Sequence, residues 1–252
     1  MLAIKAARVP GQRAFAPAPF DGPVRGQVVA LEGPSGAGKT RATRAVAHRL
    51  GALPIEEAYR RLEPTPEIRW RTPAELLRLE RQLLAEEGRR YREARELAAV
   101  GALVLADTGF LGPLTYTRAL VDARAAPPRV LQNLVSEARR MAHRGQWGLP
   151  DAILTLRTPP VERARRAGRD PLGHPPDLQA TYQTVGEGEM RVLRDLLRPR
   201  YGARFQVVSG TGAASDVVRR LEGAVRRVVA RPLPRVDLLR LLLEIDAGAG
   251  VP

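Results

Sequence analysis

The chain has 252 residues, 44% of them apolar, which describes a globular protein with one large α/β domain or two small ones. Its 41 basic residues against 27 acidic ones give a formal charge of +14, a surface that attracts phosphates, nucleic acid or acidic lipid; the arginines run along the whole chain, so charge alone selects none of these. With no cysteine there is no disulfide framework, thiolate metal site or cysteine nucleophile, the three histidines (His48, His143, His174) lack ligand spacing, and no stretch approaches the roughly 20 apolar residues of a membrane span.

Residues 1–25 are basic, nearly free of acids and rich in Pro and Ala. They read as a flexible arm, with a transit peptide as the alternative, on a protein expected to be cytoplasmic. Regular structure is expected from Gln27 onward. The apolar run Val28–Leu31 predicts a strand that ends in a glycine loop. A helix follows, with Ala42, Val46 and Leu50 on one face and Gly51 at its stop. ALPIEE (Ala52–Glu57) predicts a second short strand, placed at an edge because Pro54 donates no hydrogen bond.

Thr72 as N-cap, Pro73 at the first helical position and Glu75 closing a capping box predict a long helix that runs to about Ala99. Unbroken apolar runs at Ala102–Asp107, Ala152–Leu156 and Phe205–Val208 predict buried strands. Helical stretches near 128–144, 160–168, 177–198 and 215–230 separate or follow them. Strands alternating with helices imply a parallel sheet covered on both faces. The apolar segment Val236–Ile245 is expected to dock on the same domain, with a homodimer contact as the alternative.

The stretch GPSGAGKT, Gly33 to Thr40, fits the phosphate-binding pattern G-x-x-x-x-G-K-[ST] between a strand and a helix. Its residues Gly33, Pro34, Ser35, Gly36, Ala37, Gly38, Lys39 and Thr40 form the candidate nucleotide-binding set. Glycines let successive backbone N–H groups face one anion, and the helix that follows adds its positive end. Lys39 is one of only two lysines, the other being Lys5. A slender ammonium reaches β and γ phosphates where a planar guanidinium is too broad. Thr40 places its hydroxyl on Mg²⁺ in this pattern. With so few lysines, the Asn-Lys-x-Asp base-reading motif of Ras-type GTPases cannot exist here. Asp107 is followed by Thr-Gly, not by the second acid usual in motor ATPases.

Three segments, in order, resemble the thymidylate kinase and deoxynucleoside kinase group of P-loop kinases: ALEGPSGAGKT, which holds the phosphate loop, VLADTGFLGPLTY (Val104–Tyr116) and GLPDAILTLRTPPVERARRAGRD (Gly148–Asp170). The likeness covers about residues 26–230 and implies a three-layer P-loop α/β fold. It also implies a lid at about 158–176 and a C-terminal helical extension over 231–252. By that resemblance Asp107 holds Mg²⁺ together with Thr40, the alternative being a carboxylate that caps a turn. Glu56 or Glu57 serves as the base, helix capping being an equal account. Arg163, Arg165, Arg166 and Arg169 supply the lid. Arg163, Arg166 and Arg169 share one helix face by spacing, and Arg166 and Arg169 are the expected phosphate contacts. Gly210 opens GTGAAS, which resembles the loop that touches adenine.

Arg89 and Arg90 are candidates for the acceptor's phosphate or base. Phe110, Tyr116 and Trp70 are candidates for stacking on a base or for apolar packing. Thr108 stands where the family has an arginine, and cannot clamp a phosphate as a bidentate cation. The expected activity is transfer of the γ-phosphoryl of ATP·Mg²⁺ to a small acceptor, a nucleoside or nucleoside monophosphate. The rival is a P-loop ATPase or nucleotide-dependent regulator that binds nucleic acid.

Overall fold

The computed structural model describes residues 26–64, 70–167, 176–234 and 236–247. The N-terminal arm lies outside the described residues, as do Arg169 and most of the expected lid beyond Ala167. Five strands, β1 (Gln27–Glu32), β2 (Leu53–Ile55), β3 (Leu103–Asp107), β4 (Ala152–Arg157) and β5 (Phe205–Ser209), form one parallel sheet in the order β2-β3-β1-β4-β5. Strand β2, which carries Pro54, pairs only with β3 at the edge, where a missing N–H costs no ladder bond.

The apolar runs follow from burial on both sheet faces. Val28, Ala30, Val104, Ala106 and Ile153 pack into one core, whereas Val29, Leu31, Leu103, Leu105 and Leu154 pack into the other. The second face is covered by α1 (Lys39–Leu50) and α8 (Ala214–Val229). Against the first face lie α3 (Pro73–Ala99), α4 (Gly112–Asp122), α5 (Pro128–His143) and α7 (Pro176–Tyr201). The remaining helices are α2 (Ala58–Arg61), α6 (Pro160–Ala167) and α9 (Leu238–Ala247).

Local signals set several boundaries. Helix α3 begins with the expected capping box, Thr72 accepting from the Glu75 N–H while Glu75 accepts from the Thr72 N–H, and α1 stops at Gly51 in the left-handed region. Helix α9 docks on α5 and α4 through fully buried Leu241, Leu242 and Ile245, and Arg118 donates to the Ile245 carbonyl at 2.8 Å. Helix α4 was not expected from the sequence. It is buried on nearly every side, through Leu114, Thr115, Thr117, Ala119, Leu120 and Val121, so no polar face marks its period. Asp151, the acid before β4, accepts from the Val28 N–H at 2.8 Å and takes both oxygens to Arg95 of α3. This ties the start of the sheet to the long helix. Among the described residues no helix is long and apolar enough to cross a membrane.

Candidate phosphate-loop site

Open parallel sheets place ligands beyond the carboxyl ends of their strands, where the strand order reverses. Here that point lies around β1, which pairs with β3 on one side and β4 on the other, with Leu31 in register with Asp107. Gly36 and Gly38 hold φ of 75° and 93°, values open to glycine without a Cβ penalty, and they curl the loop into the first turn of α1. No side chain caps that helix start. Its N–H groups and dipole are therefore available to an anion. The Lys39 ammonium lies in the curl and donates to the Gly33 carbonyl at 2.7 Å and the Pro34 carbonyl at 3.3 Å.

Asp107, 3% exposed, ends β3 beside the loop, and neither carboxylate oxygen has a hydrogen-bond partner. A buried carboxylate without partners is costly, and a divalent cation or its waters would satisfy it. Among the described residues no three acidic or histidine side chains gather around a metal. Magnesium in phosphate sites needs only one or two carboxylates beside the phosphates, so Asp107 and Thr40 fit it.

The next residue carries strain. Thr108 has φ of 66°, unusual for a β-branched side chain and worth about 1–3 kcal/mol. Three bonds hold it there. Its N–H donates to Leu31 at 3.1 Å, and the fully buried Arg90 donates to the Asp107 carbonyl at 2.7 Å and the Thr108 carbonyl at 3.2 Å. Arg90 also pairs with Glu87 and lies 5.5 Å over the Phe110 ring. It positions the strand end, whereas Arg89 is exposed and pairs with Glu86. Phe110 is fully buried and meets Tyr91 edge-on, and Trp70 and Tyr116 pack partly buried against the same core. Phe110 therefore belongs to the core and offers no stacking platform.

Of the two glutamates after β2, Glu56 turns outward and pairs with exposed Arg44. Glu57 is half-buried and its charge acts on Glu32, Glu87 and Glu189. It is the less exposed of the two, and Arg60 lies 3.8 Å from it.

Helix α6 lies against the loop, where a Cβ on Gly36 would come within 3.3 Å of the Arg163 carbonyl. Arg163 is buried and pairs with Glu187 of α7, with its Nε and one terminal nitrogen unpartnered. Arg166 donates to the Ala37 carbonyl and the Gly210 carbonyl, each at 3.0 Å, so the expected lid and adenine loops meet on one guanidinium. Arg165 points away from the loop, its side chain 73% exposed, and is not brought to the site.

Sequence reasoning missed a set of acids. Glu32, Glu80 and Glu87 are buried, and Glu189 is partly so. Burial is the main cause of their raised pKa values; it pushes Glu87 and Glu189 to about 7, although the charge and hydrogen bond of Arg90 act the other way on Glu87. A carboxyl raised in the folded state stabilises the fold below its unfolded value and loses that contribution as pH climbs through the folded value. Stability should therefore fall between about pH 4.5 and 7, by at most about 3 kcal/mol from Glu87. Urea midpoints at pH 5 and 7.5 check this. Glu87→Gln should flatten the difference, and an unchanged slope would remove Glu87 as its source.

A parallel sheet of this order, with a phosphate loop after its central strand and an arginine-bearing helix against that loop, defines a P-loop α/β fold. Residues 28–154 match the family model described as an AAA domain, and the chain belongs to that family. No curated protein matches the sequence. Among solved structures, deoxyadenosine kinase from M. mycoides with bound dATP is similar, with TM-score 0.61 and 12% identity over 79% of this chain and 99% of that one. The same enzyme with dCMP and dCDP gives 0.59, at 12% identity and 79% and 98% coverage. NadR in complex with NR gives 0.56 at 16% identity, over 84% of this chain and 54% of that one. At these identities the likeness is one of fold.

Proposed function

We propose that the protein is an ATP-dependent kinase that transfers a γ-phosphoryl group to the hydroxyl of a small acceptor, with residues 26–230 as the catalytic domain and the segment after it as a helical extension. The observation that carries this reading is the pairing of Lys39, held in the curl of the loop, with the unpartnered carboxylate of Asp107 on the neighbouring strand. An ammonium and a free carboxylate able to hold a cation are the groups that neutralising charge on a transferring phosphoryl calls for. The loop amides and the start of α1 bind the phosphates, and Lys39 bridges β and γ oxygens. Thr40 and Asp107 would hold Mg²⁺, which when bound screens the phosphate charge.

Arg163 and Arg166, on the face of α6 that meets the loop, support the role of lid cations. Arg169 is assigned with them by spacing alone. The bond from Arg166 to the Gly210 carbonyl, which brings that loop to the same guanidinium as the phosphate loop, supports Gly210 as a nucleotide contact. Glu57 is the candidate base, since it is half-buried after β2 with its charge acting on Glu32, whereas Glu56 is tied to Arg44 on the surface. A panel of nucleosides, nucleotides and small alcohols with labelled ATP tests the reading. Phosphorylated product from at least one acceptor is expected. Hydrolysis stimulated by nucleic acid, with no acceptor used, would favour the ATPase reading instead.

Asp107→Asn should keep the fold and much of the nucleotide affinity while raising the Mg²⁺ concentration needed for half-maximal rate. The amide keeps the shape but binds cations weakly. A Mg²⁺ titration of the rate checks this, and an unchanged dependence would leave Asp107 as a turn cap.

A further inference from the structure

Glu32 is the last residue of β1, buried, and it directly precedes Gly33 at the start of the phosphate loop. Its carboxylate accepts from the Gly109 N–H at 2.8 Å in the protein interior. The fit there requires a glycine. A Cβ on Gly109 would come within 2.3 Å of the Glu32 oxygen and 3.5 Å of the Ala30 Cβ, which lies two residues back on the same face of β1. The preceding N–H, that of Thr108, is taken by the Leu31 carbonyl at 3.1 Å, so the last two residues before the phosphate loop hold consecutive amides of the turn after β3. Trp147 fixes the far end of that turn by donating to the Phe110 carbonyl at 2.9 Å.

The Gly109 N–H is also the donor that Asp107 would use. An aspartate in a turn commonly accepts from the N–H two residues on, and for Asp107, at the end of β3, that residue is Gly109. Asp107 makes no such bond. Both its carboxylate oxygens are buried and unpartnered, while the donor nearest in sequence is bonded to Glu32 instead. A buried carboxylate left in that state costs stability, so a second acid that takes its donor calls for a reason. The backbone between the two is held against relaxation as well: Thr108 stays at φ 66°, with Arg90 on its carbonyl and on that of Asp107.

We infer that Glu32 is a positioning residue for the metal site: by occupying the Gly109 N–H it denies Asp107 a turn-capping bond and keeps that carboxylate free for Mg²⁺. The inference rests on the reading of Asp107 as a metal ligand and deepens it, since it names what stops the same residue from acting as a cap. Without the Glu32 bond, Asp107 turns to the Gly109 N–H, and a cation must compete with an internal hydrogen bond. Glu32 is covalently next to Gly33, so the loop that binds phosphates and the turn that carries the metal carboxylate are built as one unit.

The test reads metal binding apart from turnover. Calorimetry on the full chain gives the affinity for a non-hydrolysable ATP analogue in excess Mg²⁺ and in EDTA, and the ratio of the two measures the coupling between metal and nucleotide. Glu32→Leu, which removes the acceptor, and Gly109→Ala, which pushes the carboxylate away and leaves every charge in place, should each lower that ratio by about 10-fold, the scale on which the partners of metal ligands act. Glu32→Gln keeps an acceptor oxygen for Gly109 and should stay within about 3-fold of the wild type. Asp107→Asn sets the benchmark. Glu32 acts through Asp107, so Glu32→Leu added to Asp107→Asn should lower the ratio no further, whereas independent damage to the fold would add. Thermal melts establish which variants fold, and either disrupting variant suffices. An unchanged ratio in the disrupting variants, a loss in Glu32→Gln equal to that in Glu32→Leu, or additive losses overturn the inference. If Asp107→Asn lowers the ratio and the Glu32 and Gly109 variants do not, the inference alone falls and the metal reading stands. If Asp107→Asn itself leaves the ratio unchanged, both fall.

Discussion

Lys39→Arg should lower kcat by at least about 100-fold although the charge is kept, the size of effect seen when one preorganised charge stabiliser is removed. The reason lies in shape. The ammonium fits inside the curl of the loop, 2.7 Å from the Gly33 carbonyl and 3.3 Å from that of Pro34. A guanidinium is planar and broad, and its fork suits a carboxylate edge better than the gap between two phosphates. Replacing it there would push the loop open or lift the cation off the nucleotide. Steady-state kinetics on a variant with an unchanged melting temperature make the comparison. Near-wild-type turnover would falsify the role assigned to this lysine. A loss confined to KM would mean that the ammonium binds ground state and transition state equally.

Much of the scaffold that holds this lysine was legible in the sequence. Strands buried on both faces are written as unbroken apolar runs, and the punctuation around them, Gly51, Thr72 with Glu75, and Pro54, acts locally. Local signals survive tertiary context. The phosphate loop was legible for a related reason, since its geometry depends on glycines at fixed spacing and not on distant partners. Helix α4 was not legible, because burial on all sides erased its amphipathic period.

Within the site the division falls along the same line. Asp107 could be placed at a strand end from its own neighbourhood. The choice between Glu56 and Glu57 could not, because it depends on Arg44 drawing one of them to the surface. Arg90 is by sequence a candidate ligand contact or part of a solvated face; in the fold it is buried, with Glu87 and two carbonyls of the chain as its partners. The buried acids of α3 leave one mark in the sequence. Leu76, Glu80, Leu84 and Glu87 interrupt an apolar stripe on α3 with two charges, a pattern that a solvated face does not require. Glu189 gave none, for its neighbours in space lie on α4 and β1, more than 70 residues away in sequence.

The arginines of the proposed lid carry the second large effect. Arg166→Ala should lower kcat by on the order of 10- to 1,000-fold, while ATP affinity without acceptor moves by less than about 1 kcal/mol. Arg166 now holds the Ala37 carbonyl of the phosphate loop and the Gly210 carbonyl together, with Glu162 beside it. To meet a transferring phosphoryl it must exchange at least one of these for a phosphate oxygen, a trade that favours the transition state, where the charge is greatest. Arg139→Ala, at an exposed position of α5, is the control for general loss of positive charge. Arg165→Ala is a sharper one, because it removes an arginine from the same helix whose side chain faces solvent. Protection from proteolysis near residues 165–169 on addition of ATP and acceptor would accompany closure. If Arg166→Ala behaves like Arg165→Ala in turnover, and cleavage there ignores both ligands, Arg166 is a structural bridge between two loops. Charge stabilisation then rests on Lys39, the loop amides and the metal alone.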